Sequence, residues 1–85
     1  MNKTQISCSL YDYIEIVCLY RYKIEIHTND ENVFIGTAID TKLNNEKKEC
    51  ILITSENSKE LVILEDIKEL KVLTKNAKFK KIDFK

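Results

Sequence analysis

The sequence predicts a mainly β (α+β) fold: one N-terminal helix, then five or six short antiparallel strands, with the helix capping the open end of a strongly bent sheet or small barrel. Three observations predict it. Apolar residues near the start recur at helical spacing, then switch to strict alternation after Arg21. Clusters of Asn, Asp and Ser divide the rest into apolar runs of strand length. There is no proline, and the single glycine, Gly36, lies inside a predicted strand, where a bulge or bend lets a small sheet curl. Residues 1–85 read as a single domain without linker or repeat.

Residues 1–7 are polar and expected to be flexible. Ser9-Leu10-Tyr11-Asp12 has capping-box form, with the serine placed to accept an orphan N–H, and predicts a helix from Leu10 to Tyr20. Tyr22, Ile24 and Ile26 then alternate with Lys23, Glu25 and His27, which marks a half-buried strand. Asn29-Asp30-Glu31-Asn32 is a turn. A second strand is expected over Val33–Asp40, and a polar, lysine-rich loop over Thr41–Glu49 around Asn44-Asn45. Cys50–Thr54 and Glu60–Leu64 flank a tight turn at Ser55–Ser58. After a bend at Glu65-Asp66, Ile67–Leu73 makes a fifth strand and Phe79–Phe84 a short sixth. Leu61, Leu64, Ile67 and Leu70 also have roughly helical spacing, so a helix over Leu61–Leu73 is the alternative there.

A chain of 85 residues buries a small core and has a thin stability margin. Its 14 basic and 14 acidic residues cancel, so net charge argues for neither nucleic acid nor membrane. The distribution is uneven. From Lys71 to Lys85 six lysines face one aspartate, a net of +5, which leaves about −5 on the remainder. No secretory leader and no apolar stretch of spanning length is read, and the expected location is the cytoplasm. Cys8, Cys18 and Cys50 form no short pair, so they suggest neither a disulfide framework nor a zinc site. They read as small apolar core residues, with a Cys8–Cys18 redox pair as the alternative.

Catalytic machinery is not legible. His27 is the one conventional base, it is expected to face solvent, and no nucleophile elbow or phosphate-cradling glycine loop accompanies it. The reading is a binding protein, not an enzyme, with no catalytic residues, metal or cofactor. The helix is the informative surface. Leu10, Tyr13, Ile14 and Val17 share the face expected to meet the sheet, and Asp12 and Glu15 share the other. Ile16 and Leu19 flank the two acids, with Tyr11 and Tyr20 further round. Apolar groups around exposed acids suggest an interface. Carboxylates repel phosphate, so this face suits the basic groove of a nucleic-acid-binding protein, not nucleic acid itself.

The run Ile6-Ser7-Cys8-Ser9-Leu10-Tyr11-Asp12-Tyr13-Ile14-Glu15-Ile16-Val17-Cys18 resembles the signature of the Rho-binding antiterminator family, Rof. From there to about Phe84 the chain is similar to that family in layout. The resemblance implies an Sm-like fold and, as partner, the transcription terminator Rho, whose N-terminal RNA-binding region family members occupy, blocking its primary RNA site and reducing termination. Tyr11, Asp12 and Glu15 match positions on the helix that faces Rho, with Ile16 and Leu19 beside them and Asn44 and Asn45 as a second contact. Where the family often carries two aspartates before the matching tyrosine, this chain has Ser9 and Leu10.

Two other readings stand beside this one. Lys75, Lys78, Lys80 and Lys81 around Phe79 have the make-up of a direct nucleic-acid-binding patch. Sheet edges that lack proline and glycine could pair between copies. The first reading implies a monomer with no membrane association.

Overall fold

The computed structural model describes residues 8–84. Helix α1 (Cys8–Leu19) leads into β1 (Lys23–Thr28), β2 (Val33–Leu43), β3 (Glu49–Ser55) and β4 (Ser58–Ile63). A single 3-10 turn (Leu64–Asp66) precedes β5 (Ile67–Val72), and β6 (Lys81–Asp83) ends the order. All neighbouring strands pair antiparallel, in the order β4-β3-β2-β1-β5-β6. The sheet bends in the Sm-like manner but remains open, with β4 and β6 as its two edges. The expectation for residues 1–7 falls outside the described residues. Among the described residues no helix is long and apolar enough to cross a membrane.

β2 sets the shape. Its first half, Val33–Thr37, pairs with β1, and its second half, Thr37–Leu43, pairs with β3. The β3 register shifts between Ala38 and Asp40, which makes Ile39 the extra residue of a bulge. A bulge bends its strand and tightens the twist, so one long strand serves two ladders that face different ways. The bend was expected at Gly36, but the bulge falls three residues later. Gly36 instead permits close approach: a Cβ there would lie 2.6 Å from the Thr54 carbonyl oxygen. β2 also runs past the expected end at Asp40 to Leu43, because Thr41, Lys42 and Leu43 find partners in Ile51, Cys50 and Glu49. The loop shrinks accordingly to Asn44–Lys48.

Ile14, Val17 and Cys18 of α1 are buried against Ile24 and Ile26 of β1, Ala38 of β2, Ile51 and Ile53 of β3, and Ile67 and Leu70 of β5. Each fully buried aliphatic side chain contributes about 1.5–3 kcal/mol, so this core is the main stabilising term. The predicted inner face of the helix needs two changes. Tyr13 is 40% exposed and lies at the rim, while Cys18 takes its place in the core. Ser9 lies within the helix, which starts at Cys8, and not at its cap. At the far end the Tyr22 N–H donates to the Val17 carbonyl (3.0 Å) and the Arg21 N–H to that of Cys18 (3.2 Å), with Arg21 at φ 53°. This is a Schellman ending, with buried Tyr22 and Val17 as its apolar contact.

The helical alternative over Leu61–Leu73 is overturned. β4 and β5 each find a strand partner, in β3 and β1, and the 3-10 turn between them buries Leu64. Helical spacing of four leucine and isoleucine residues loses to two ladders of interstrand hydrogen bonds. Cys18 and Cys50 are buried free thiols, as expected of core residues.

On the outer face, Lys81 pairs with Glu69 (3.2 Å) and Asp83 (3.7 Å). The hydrogen bond from Lys81 holds the Glu69 carboxyl below its usual range, and Glu69 raises Lys81 in turn. A depressed carboxyl stabilises the fold above its unfolded-state pKa and loses that contribution as pH falls through the folded value. A raised lysine contributes below its unfolded value and loses it as pH rises through the folded one. The stability gap between the native chain and Glu69→Gln should therefore be constant around neutral pH and shrink as pH falls through the carboxylate range in urea titrations. A gap unchanged at acid pH would refute the pairing. Gly36→Ala should cost about 1–3 kcal/mol in the same assay, because β3 must move away from β2.

Candidate functional site

The helix exposes a continuous stripe. Successive helical residues turn by about 100°, which sets Glu15, Leu19 and Asp12 side by side, opposite buried Ile14 and Val17. Asp12 and Glu15 are exposed, and neither carboxylate makes an ion pair or hydrogen bond among the described residues. Leu19, at 73% exposure, is the most exposed large apolar residue described. Ile16 is only half-buried and packs on the core, so its contribution to the stripe is partial.

Two flanks frame this stripe. On the β2 side, the half-buried Tyr11 packs on the core and its hydroxyl sits 3.4 Å from Thr41 Oγ1. Asp40, exposed next to Thr41, is the residue that sequence reading missed. Burial first, then the carboxylates of Asp40 and Glu15 against a lowering by Arg21, push the Cys18 thiol up to about 11. Asp40 and Glu15 both act on Cys18, so a carboxylate of the sheet lies near the helix as well. Linear spacing gave no hint of this, because only the bulge at Ile39 decides which way Asp40 points. The same burial leaves Cys18 protonated at neutral pH and a poor nucleophile; the Cys8 side chain lies outside the described residues.

On the opposite flank the C-terminal segment packs against the helix. Phe79 meets Tyr13 edge-on (centroids 5.0 Å, 74°) and Tyr22 similarly (6.2 Å, 79°). The Lys78 ammonium lies 5.4 Å from the Tyr20 ring, and its backbone N–H donates to the Tyr22 hydroxyl (3.0 Å). Lys81 is held by its two carboxylates. Lys75 and Lys80 are exposed. The structure thus places the expected basic patch in two parts, with Phe79 facing inward.

The loop after β2 is organised by Asn44. Its side-chain oxygen accepts the N–H groups of Glu46 (2.8 Å) and Lys48 (3.0 Å), while Asn45 is exposed. Asn44 lies three residues beyond Thr41, roughly 10 Å along the strand direction, so the loop adjoins the Tyr11 flank. His27 is half-buried, not freely solvated, with Nε2 2.5 Å from Glu25 Oε2. Among the described residues no three His, Cys, Asp or Glu side chains converge as metal ligands.

Fold and surface together define a small helix-capped domain: an Sm-like bent sheet whose acidic–apolar helix face is turned outward. Residues 5–84 match the family of modulators of Rho-dependent transcription termination (ROF), and the chain belongs to that family. The match covers far more than the signature run at residues 6–18. A solved structure of YaeO bound to magnesium, from Vibrio cholerae O395, is similar at 32% identity and a TM-score of 0.84, over 88% of this chain and 97% of that one. No curated protein gives a significant match.

The aromatic packing makes Phe79 a structural residue on this geometry. Phe79→Ala should lower stability by about 2 kcal/mol, less than a fully buried phenylalanine would. Chemical denaturation measures this, and a loss under about 0.5 kcal/mol would show that the side chain is available for other contacts.

Proposed function

We propose that this chain reduces Rho-dependent termination by seating the Asp12–Glu15–Leu19 face of α1 in the N-terminal RNA-binding region of Rho, where it excludes RNA from the primary site. Membership of the family supplies the process. The observation that carries the mechanism is that two unpaired carboxylates flank a leucine on the solvent side of a helix whose other side is buried. A basic groove that binds phosphates presents lysine and arginine, and carboxylates can compete for them. Leu19 supplies apolar contact at the centre of the patch, where burial contributes most. Tyr11, Asp40 and the exposed Asn45 extend the surface toward the loop. Ser9 and Leu10 bring less charge to the helix start than a pair of aspartates would, and Asp40 adds one carboxylate back from the sheet.

The inward placement of Phe79 and the pairing of Lys81 favour this reading over direct nucleic-acid binding by the C-terminal segment. The chain would act as a monomer in the cytoplasm, where Rho meets nascent RNA, without metal or cofactor.

The test is RNA binding by purified Rho, followed by fluorescence anisotropy with increasing amounts of the chain. Displacement of RNA is expected, and Asp12→Lys should weaken the complex by about 1 kcal/mol or more, roughly five-fold. Rho–RNA affinity that is unchanged at large excess of the chain would refute the mechanism.

A further inference from the structure

The bend of the sheet leaves an opening on a side that α1 does not line. β2 pairs with β1 through Val33–Thr37, but its ladder to β3 begins at Thr37. The Ala38 N–H donates to the Tyr22 carbonyl (2.9 Å), so residues 34, 36 and 38 bond toward β1, while Val33 and Ile35 turn their backbone groups toward the opening. Across it runs the edge strand β4. The turn at Glu56-Asn57 pairs Ser58 with Ser55, so Ser58, Glu60 and Val62 bond to β3, and Lys59, Leu61 and Ile63 turn theirs outward.

The space between is shaped. Val33, Phe34, Ile35, Ile53 and Glu60 line a cleft of about 190 Å³. Phe34 is shared with a second cleft of about 140 Å³, which Leu61, Asp30 and Asp66 also line. Val33, Ile35 and Leu61 are each 43–51% exposed. Glu60 stands directly opposite buried Ile53 in the ladder, and directly opposed residues share a face. Its side chain therefore lies on the inner side of an edge strand, and no ion pair reaches it among the described residues.

We propose that this opening takes up an extended basic segment of a partner protein as an added strand on β4, with alternate apolar side chains on the Leu61 face and a lysine or arginine between them on the face of Glu60. Outward-turned backbone groups select an extended chain. Leu61, Val33 and Ile35 select apolar side chains at every second position, and Phe34, on the same face as Glu60, packs the aliphatic stem of the basic residue between them. Glu60, Asp30 and Asp66 select positive charge, and the Thr28 hydroxyl bonded to Asp30 favours its ionised form.

The surface is separate from the helix face, and the test keeps the two apart. A blocked peptide of about eight alternating valine and lysine residues is titrated into the full chain and followed by backbone amide NMR. Saturable shifts are expected at Val33, Ile35, Lys59, Leu61 and Ile63. Glu60→Lys should weaken binding roughly ten-fold and Glu60→Gln by less, N-methylation of the peptide amides that face β4 should abolish it, and Asp12→Lys should leave it unchanged. Absence of saturation, shifts centred on α1, equal binding of a valine–glutamate peptide, or a peptide-independent dimer by light scattering would each overturn the proposal.

Discussion

The structure depends on one strand being shared by two ladders. β2 gives its first half to β1 and its second to β3, and the Ile39 bulge turns it between them. A flat sheet of this size would leave one face of Ile24, Ile26, Ile51 and Ile53 in water. Bending brings those side chains around a common centre, and α1 closes it with Ile14 and Val17. Gly36 belongs to the same constraint, because any side chain there would displace Thr54. A small domain cannot spare such a contact: losing about 2 kcal/mol is a large fraction of the total stability of a chain this size.

The same bend divides the surface by charge. Thr41 is brought under Tyr11, which fixes the helix over the second half of β2. Asp40 then lies near enough to Cys18 for its charge to act there, alongside that of Glu15. Lysines of the C-terminal segment lie on the other flank, where Phe79 packs on Tyr13 and Tyr22. Under the proposed function, attraction to a cationic groove would not come from net charge, which is zero. It would come from the carboxylates exposed on the helix, and their placement on one face would give orientation as well as affinity.

Local patterns in the sequence foretold local structure. The change of period after Arg21 marked the join of helix and sheet, and the turns at Asn29–Asn32 and Ser55–Ser58 were legible from residue chemistry. What failed to show was set by tertiary pairing. Thr41–Leu43 looks like loop, but Ile51, Cys50 and Glu49 supply it with a ladder. Leu61–Leu73 has helical spacing that only strand partners could overrule. The candidate site was legible where it lies on one helix, at Asp12, Glu15 and Leu19. It was not legible at Asp40, because its direction depends on a bulge that no glycine or proline announces. The packing of Phe79 was likewise not legible: lysines on both sides of an aromatic describe a stacking platform as well as they describe a half-buried residue ahead of a charged edge strand.

The division of labour around β2 also explains why so small a chain can expose as much apolar surface as it does. Leu19 on the helix lies beside the Glu15 carboxylate, and Leu61 on the edge strand follows Glu60, whose side chain lies on the other face of the strand. Apolar contact alone would select any greasy surface, including another copy. Charge alone would be screened over about 8 Å at physiological salt. An exposed leucine and an unpaired acid carried on the same helix or strand would combine the two conditions, and the proposed partners are accordingly both apolar and basic. The helix presents that combination as a convex ridge, and the β4 edge presents it as a slot, which suits the first to a groove and the second to a strand.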